Sequence, residues 1–157
     1  MKKILSIAAA ITFLTAGVSL ADEHAQMHEM MMKKGGPKTD DRTELKIPPP
    51  MKVMQKGMMR QHLDTISEIT AALAINDLNK AGDIAKSKLG WNPEEEKRCS
   101  LVGQMAGESD FVPLGKAVHL KADELADTAK AGNRDKALVL LSELITNCNT
   151  CHQKFRH

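Results

Sequence analysis

The sequence predicts an all-α protein, and more specifically an antiparallel up-down-up-down four-helix bundle. From Met51 onward, apolar residues recur at steps of three and four, which is the spacing of one face of an α-helix. Two tight links, around residues 76–81 and 133–137, each join two helical segments, so each pair is expected to form an antiparallel hairpin. No alternating run of apolar and polar residues indicates a strand. Two such hairpins bury their apolar stripes by packing as a bundle.

The four predicted helices cover residues 51–75, 77–89, 110–131 and 134–155. Gly90 and Gly132 stand where helices commonly end, because glycine adopts the C-terminal cap conformation without strain. Asn92, followed by Pro93 and three glutamates, predicts the start of a short extra helix. Asp110 is the expected N-terminal cap of the helix over 110–131.

The N-terminus has the pattern of a secretory signal peptide. Lys2 and Lys3 precede an apolar run over residues 4–18, and small residues lead up to an expected cleavage site after Ala21. A membrane anchor is the alternative, but the apolar run is shorter than the roughly 20 residues that a membrane span needs. We therefore expect a periplasmic protein with no stable membrane insertion after cleavage of residues 1–21.

Residues 22–50 are predicted to form a flexible leader, and residues 51–157 the helical domain. The leader contains several methionines and histidines and ends in the triproline 48–50, which cannot continue a helix and favours an extended chain. Thioether and imidazole groups are suitable copper ligands, so a copper-binding leader is an alternative to a disordered polar one.

The charge balance argues against nucleic acid as a partner. Removal of residues 1–21 takes away two lysines and no acidic residue, which leaves as many basic as acidic side chains. Binding to a phosphate backbone requires an excess or a stripe of basic residues, and the sequence has neither.

The last predicted helix carries the sequence Cys148-Asn149-Thr150-Cys151-His152, which is the C-x-x-C-H pattern of covalent haem attachment. Residues three and four apart share a helix face, so the two thiols can reach one edge of a haem and the histidine can bind its iron. These residues belong to an apolar stripe that we expect to face the core. Its members are Leu138, Leu141, Ile145, Cys148, His152 and Phe155.

The cysteine pair has three other possible uses, and the sequence favours none of them over haem attachment. A thioredoxin-like pair would open a helix that follows a strand, whereas this pair lies near the end of an all-helical chain. A zinc site could include Cys99, but no matching ligand spacing surrounds it. A disulfide or free thiols are the remaining alternatives. Covalent attachment of one haem c is the prediction.

The C-terminal sequence over residues 148–156, at the end of a predicted four-helix bundle, resembles the class II c-type cytochromes, the cytochrome c prime family. The resemblance covers residues 51–157, and only the C-terminal motif is specific. It implies one haem between the helices, with His152 as the proximal iron ligand. High-spin members of the family leave the sixth iron position open and bind nitric oxide or carbon monoxide. Low-spin members fill it with a methionine of the first helix and carry electrons.

The sixth ligand is expected early in the first or third predicted helix, because those helix starts share one end of the bundle with the end of the last helix. Met59 lies on the core stripe of its helix and matches the methionine of low-spin family members, whereas Met58 is rotated by about 100°. Met58, a histidine (His62 or His119) or an open site are the alternatives. Arg156 is a candidate partner for a haem propionate, since arginine favours carboxylates. Cys99 is left without a role.

These predictions describe an electron carrier and not an enzyme, since no catalytic acid, base or nucleophile is identified. The expected partners are periplasmic redox proteins, and the family resemblance implies a homodimer through the first two predicted helices. The alternative is a high-spin cytochrome c prime that binds nitric oxide or carbon monoxide. A copper-handling protein that uses the leader is a third hypothesis.

Overall fold

The computed structural model describes residues 25–30 and 40–157 of the chain. The chain divides into two compact units, residues 1–41 and 42–157. In the first unit, residues 25–30 form a short exposed helix that carries Met27 and Met30. The predicted signal peptide over residues 1–21 lies outside the described residues, as do residues 22–24 and 31–39 of the predicted leader.

The second unit is mostly helical, which confirms the all-α class. We number its helices α1 to α5. They span α1 Pro49–Ala74, α2 Leu78–Leu89, α3 Pro93–Ala106, α4 Phe111–Lys130 and α5 Arg134–Lys154. Among residues 25–30 and 40–157, no helix combines the length and the apolar character that crossing a membrane requires.

Short polar side chains start three of these helices. Asp77 accepts a hydrogen bond from the backbone N–H of Lys80, and Asn133 accepts one from Lys136. Asn92 accepts from two successive N–H groups at the start of α3. These bonds satisfy donors that have no partner within the helix, so the links at both hairpins have defined geometry.

Two of the predicted caps differ from expectation. Gly90 has an extended conformation (φ −67°, ψ 156°) and not the left-handed one. The Asp110 side chain makes no capping hydrogen bond and pairs with the Lys154 ammonium instead. An ion pair with a side chain of α5 therefore replaces the predicted local cap.

The main core lies where α2 and α4 meet their neighbours. Helix α1 packs on α2, α2 on α4, and α4 on both α3 and α5. Alanines on the facing helices let the backbones approach closely, and leucines fill the layers between them. The Arg134 side chain donates from Nε to the carbonyl oxygen of Leu73 at 3.0 Å, which joins the start of α5 to the end of α1. The fully or nearly fully buried members of this core include Ile69, Leu73, Ala81, Ala85, Leu125, Ala126, Ala129, Ala137 and Leu140.

Residues 43–47, which the sequence assigns to the flexible leader over 22–50, pack on the helical unit. Strand β1, Thr43–Glu44, pairs in parallel with β2, Phe155–Arg156. Leu45 and Ile47 are 1% and 5% exposed and join a cluster that contains Phe155. Leu45 and Ile47 occupy alternate positions, and alternate side chains of an extended segment point to the same side. Both can therefore pack on the helical unit. The prolines that follow open α1, because proline is tolerated in the first helical turn.

The predicted core stripe of α5 is buried in part, and a neighbouring edge of the helix is buried beside it. The buried residues are Ala137, Leu140, Leu141 and Leu144, whereas Leu138 and Ile145 are 39% and 38% exposed. The helix turns its 137–140–144 edge toward the core. Leu141 and Phe155 of the predicted stripe are buried, and Ile145, Cys148 and His152 line a cavity.

Candidate functional site

A cavity of about 440 Å³ lies between α1, α3, α4 and the last turns of α5. This volume is within the usual range of cofactor and ligand pockets, roughly 300–1,000 Å³. Its lining is mostly apolar, with polar groups at a few positions. The lining includes Gln55, Met58, Met59, His62, Glu95, Arg98, Cys99, Gly115, His119, Cys148, Cys151, His152 and His157.

The structure brings Cys148, Cys151 and His152 together on this cavity, in the last two turns of α5. The two cysteines are partly buried, and His152 is exposed at the helix end. The His152 carbonyl oxygen accepts a hydrogen bond from Arg42 Nη1 at 3.1 Å, which fixes this end of the helix. The C-x-x-C-H residues therefore present two thiols and one imidazole to a single space.

Burial keeps these thiols in the neutral form at neutral pH. It raises the pKa of Cys148, and it raises the pKa of Cys151 to about 11, with a further contribution from the neighbouring Cys148. Cys99, Cys148 and Cys151 are all free thiols. Neutral thiols are poor metal ligands and poor nucleophiles, because the thiolate is the reactive form.

Met58 and Met59 both border the cavity from α1. Rotation by about 100° between neighbouring positions was expected to turn Met58 away. The cavity is wide enough that two adjacent positions of α1 reach it, and the two methionines have the same partial burial. Helical spacing alone therefore does not choose between them.

His62 also borders the cavity from α1, one turn after Met58. Burial lowers the pKa of His62 to about 4, with smaller contributions from His119, Arg98 and His152. Its ring meets the edge of the His119 ring with the centroids 5.4 Å apart. His62 is therefore neutral at neutral pH.

Both ring nitrogens of His119 face groups of the protein. His119 is 3% exposed, and its Nδ1 lies 2.9 Å from the carbonyl oxygen of Leu89. Because a carbonyl only accepts, Nδ1 carries the hydrogen. Nε2 lies 3.7 Å from Oε2 of Glu95. Donation from Nδ1 to a carbonyl leaves the Nε2 lone pair as a potential metal ligand, so His119 stays an alternative to Met59.

Helix α3 contributes a polar edge that the sequence analysis missed. Arg98 Nη2 lies 3.2 Å from Glu95 Oε1, and both residues line the cavity. Glu95 Oε2 is buried and has no hydrogen-bond partner. Residues 95, 98, 99 and 102 recur at helical spacing. This pattern could have indicated that one face of α3 points to the interior of the protein.

Gln55 is a second polar residue that the sequence analysis missed. It is 4% exposed, lines the cavity one turn before Met59, and its Oε1 has no hydrogen-bond partner. A buried acceptor without a partner is costly, so its presence at a cavity wall suits a site that is filled by a group with polar edges.

Cys99 is a buried residue of α3, and its thiol lies next to Gly115 of α4. A Cβ atom at Gly115 would lie 3.1 Å from its sulfur, so the glycine makes room for the thiol. Burial raises the pKa of Cys99 to about 11, and Glu95 adds to the effect. Within the described ranges, no three His, Cys, Asp or Glu side chains are grouped as metal ligands, so the zinc alternative gains no support.

Arg156 takes a position other than the predicted one beside the cavity. Its Nε donates to the Arg42 carbonyl oxygen at 3.3 Å, and its Nη2 lies 3.5 Å from Glu44 Oε2. It is not among the lining residues, whereas Arg98 is. Arg98 is therefore the arginine that the described cavity lining offers to a carboxylate.

The chain matches no protein-family model, and no curated protein or solved structure matches it.

Proposed function

We propose that the chain is a periplasmic electron carrier of the class II c-type cytochromes, with one covalently bound haem c. The observation that carries the proposal is that Cys148, Cys151 and His152 line one cavity together with Met59. In the C-x-x-C-H pattern, two cysteines hold the haem by thioether bonds and the histidine binds its iron. The cavity is the space into which these three side chains project.

The lining suits haem, which is a flat apolar group with carboxylates at one edge. Most of the lining is apolar, and the polar groups are restricted to a few positions. Arg98 offers a guanidinium to a carboxylate, and Gln55 offers an amide group whose Oε1 has no protein partner. A lining of this kind excludes water from most of the cofactor surface.

Each residue has a defined part in this proposal. Cys148 and Cys151 would hold the haem by thioether bonds, and His152 and Met59 would supply ligands to its iron. A bound haem supplies an iron that alternates between the ferrous and ferric states. Ligation by methionine raises the reduction potential relative to ligation by two histidines. Met59 is proposed over His119 because it matches the methionine of low-spin family members; the Nδ1–H of His119 donates to Leu89 and leaves Nε2 as the alternative ligand.

The finer architecture proposed is an up-down-up-down bundle of α1, α2, α4 and α5, with the haem near the C-terminal end of α5. Two features support it. The α1–α2 and α4–α5 links are short, and the Arg134–Leu73 hydrogen bond brings the start of α5 to the end of α1. Export to the periplasm rests on the signal-peptide pattern of residues 1–21.

Expression of the full-length chain in a periplasmic host with c-type haem maturation tests the proposal. The purified protein should keep its haem after denaturation, with a mass increase of one haem. Cys148→Ser and Cys151→Ser together should abolish the covalent attachment, whereas Cys99→Ser should leave it intact. A wild-type protein that is haem-free under these conditions would contradict the proposal.

The optical spectrum then separates the electron carrier from its alternative. A low-spin spectrum in both oxidation states, unchanged by carbon monoxide, is expected for a methionine-ligated carrier. A high-spin spectrum that changes with carbon monoxide would replace it with a gas-binding cytochrome c prime.

A further inference from the structure

A short segment of the first unit is rich in soft metal-binding side chains. Residues 24–32 contain four of the ten methionines and two of the six histidines of the chain. The proposed haem site uses none of them. Residues 25–30 of this segment form a helix that carries Met27, His28 and Met30. We call these three residues the Met/His cluster.

The side chains of the Met/His cluster are all exposed. Met27 is 50% exposed and Met30 is 57% exposed. A methionine in a folded protein commonly fills an irregular gap in the core, but side chains that are half exposed fill no such gap. Core packing therefore does not explain these two residues, and their sulfur atoms are accessible to an ion from solution.

The helix places the two methionines of the cluster close together. Met27 and Met30 are three residues apart, so their side chains share one face. His28 follows Met27 directly and is rotated from it by about 100° around the helix axis. A methionine side chain is unbranched and has three rotatable bonds, so its sulfur can move toward the imidazole. Two sulfur atoms and one imidazole nitrogen can therefore meet at one ion without a change of the backbone.

The residue types of the cluster select the ion. Thioether sulfur is a soft ligand that favours Cu(I), and imidazole also binds copper. Zinc in proteins is held by thiolate, imidazole and carboxylate groups, and calcium and magnesium require oxygen ligands. Two thioethers with one imidazole therefore suit Cu(I) better than any of these other ions.

We propose that Met27, His28 and Met30 form a binding site for Cu(I), with two thioether sulfurs and one imidazole nitrogen as its ligands. This site goes beyond the proposed electron carrier. It does not depend on haem, because none of its three ligands belongs to the lining of the cavity.

The sequence next to the Met/His cluster supplies further side chains of the same kind. His24 precedes the helix, and Met31 and Met32 follow it. These three residues lie outside the described residues. A site built on the Met/His cluster does not require them.

NMR of methionine methyl groups tests the site residue by residue in the chain purified from the periplasmic host. Ag(I) is a soft ion that stands in for Cu(I) and is stable in air. It should shift the methyl signals of Met27 and Met30. Free thiols also bind Ag(I), so the titration continues beyond one equivalent for each of the three cysteines.

Met54 and Met105 are the internal controls of this titration. They are 41% and 45% exposed, and neither has a histidine within four residues in sequence. Their methyl signals should stay in place while those of Met27 and Met30 shift. Equal shifts of all four signals, or unchanged signals of Met27 and Met30, would overturn the proposal.

Zn(II) tests the choice of ion. It should leave the methyl signals of Met27 and Met30 in place, because thioether sulfur is not among the ligands that hold zinc in proteins. Shifts with Zn(II) as large as those with Ag(I) would overturn the assignment to Cu(I).

The number of Cu(I) ions bound per chain, measured by anaerobic equilibrium dialysis, provides the test with copper itself. Met27→Leu with Met30→Leu keeps two apolar side chains and removes both sulfurs, so this variant should bind one Cu(I) fewer than wild type. Met54→Leu with Met105→Leu is the matched control and should bind the wild-type number. The same loss in both variants, or in neither, would overturn the proposal. A chain that carries no haem and shows the expected loss would contradict the proposed function and leave the Cu(I) site standing.

Discussion

The His119 Nδ1 lies 2.9 Å from the Leu89 carbonyl oxygen, at the point where α2 ends. The last carbonyls of a helix have no partner within it, and Leu89 is 1% exposed, so water does not replace one. The histidine of α4 therefore satisfies a buried acceptor of α2. The other ring nitrogen, Nε2, lies 3.7 Å from Glu95 Oε2.

Removal of this donor should destabilise the protein. Asparagine can present an N–H close to the position of the histidine Nδ1, whereas leucine cannot. We expect His119→Leu to lower the free energy of unfolding by about 1–3 kcal/mol relative to His119→Asn, because the Leu89 carbonyl loses its partner. Denaturant unfolding of the two variants measures the difference. Equal stability of the two variants would show that the bond contributes nothing, and ¹⁵N NMR of wild type should show the Nδ1–H tautomer.

Replacement of Met59 should open the sixth iron position. Met59→Ala is expected to convert a low-spin spectrum to a high-spin one and to allow carbon monoxide to bind, since alanine offers no ligand. Met58→Ala is the matched control, because both methionines line the cavity and both are partly buried. If Met58→Ala changes the spectrum and Met59→Ala does not, Met58 is the ligand.

The sequence pattern of α5 does not decide which of its two neighbouring apolar edges packs against α4. Ala137, Leu140 and Leu144 form one apolar edge, and Leu138, Leu141 and Ile145 form another beside it. Both have helical spacing, so the choice depends on which edge meets α4 in the folded chain. Cys148, Cys151, His152 and Met59 line one cavity, and their use in binding haem stays a prediction.

The residues that were missed depend on contacts between distant segments. Leu45 packs with Phe155 only after a two-residue strand pairs with the C-terminus, and two residues carry no periodic signal. Glu95 and Arg98 lie on α3, for which the sequence indicated only a short helix start. Arg156 follows the haem motif in sequence, but its pairing with Glu44 is a long-range contact that local pattern does not contain.

The packing of the segment before α1 is open to a stability test. Leu45 is 1% exposed, so Leu45→Ala should lower the free energy of unfolding by about 2–5 kcal/mol, through lost burial and the void left behind. Val53→Ala is a control at a position that is 72% exposed, and it should change the stability by less than about 0.5 kcal/mol. Denaturant unfolding gives both values. Similar values for both would place Leu45 outside the folded core.

Acidification should destabilise the protein through His62. Its pKa is about 4 in the folded protein against 6.5 for the free side chain, so between these values the unfolded chain binds more protons. The free energy of unfolding therefore falls as the pH drops from 6.5 to 4, by up to about 1.4 kcal/mol per pH unit and about 3 kcal/mol in total. The difference in stability between wild type and His62→Gln, followed against pH, isolates this contribution from the carboxylates. His28→Gln, at an exposed position, is the control variant. A His62→Gln profile parallel to wild type over this window would show that His62 is not held in the neutral form by burial.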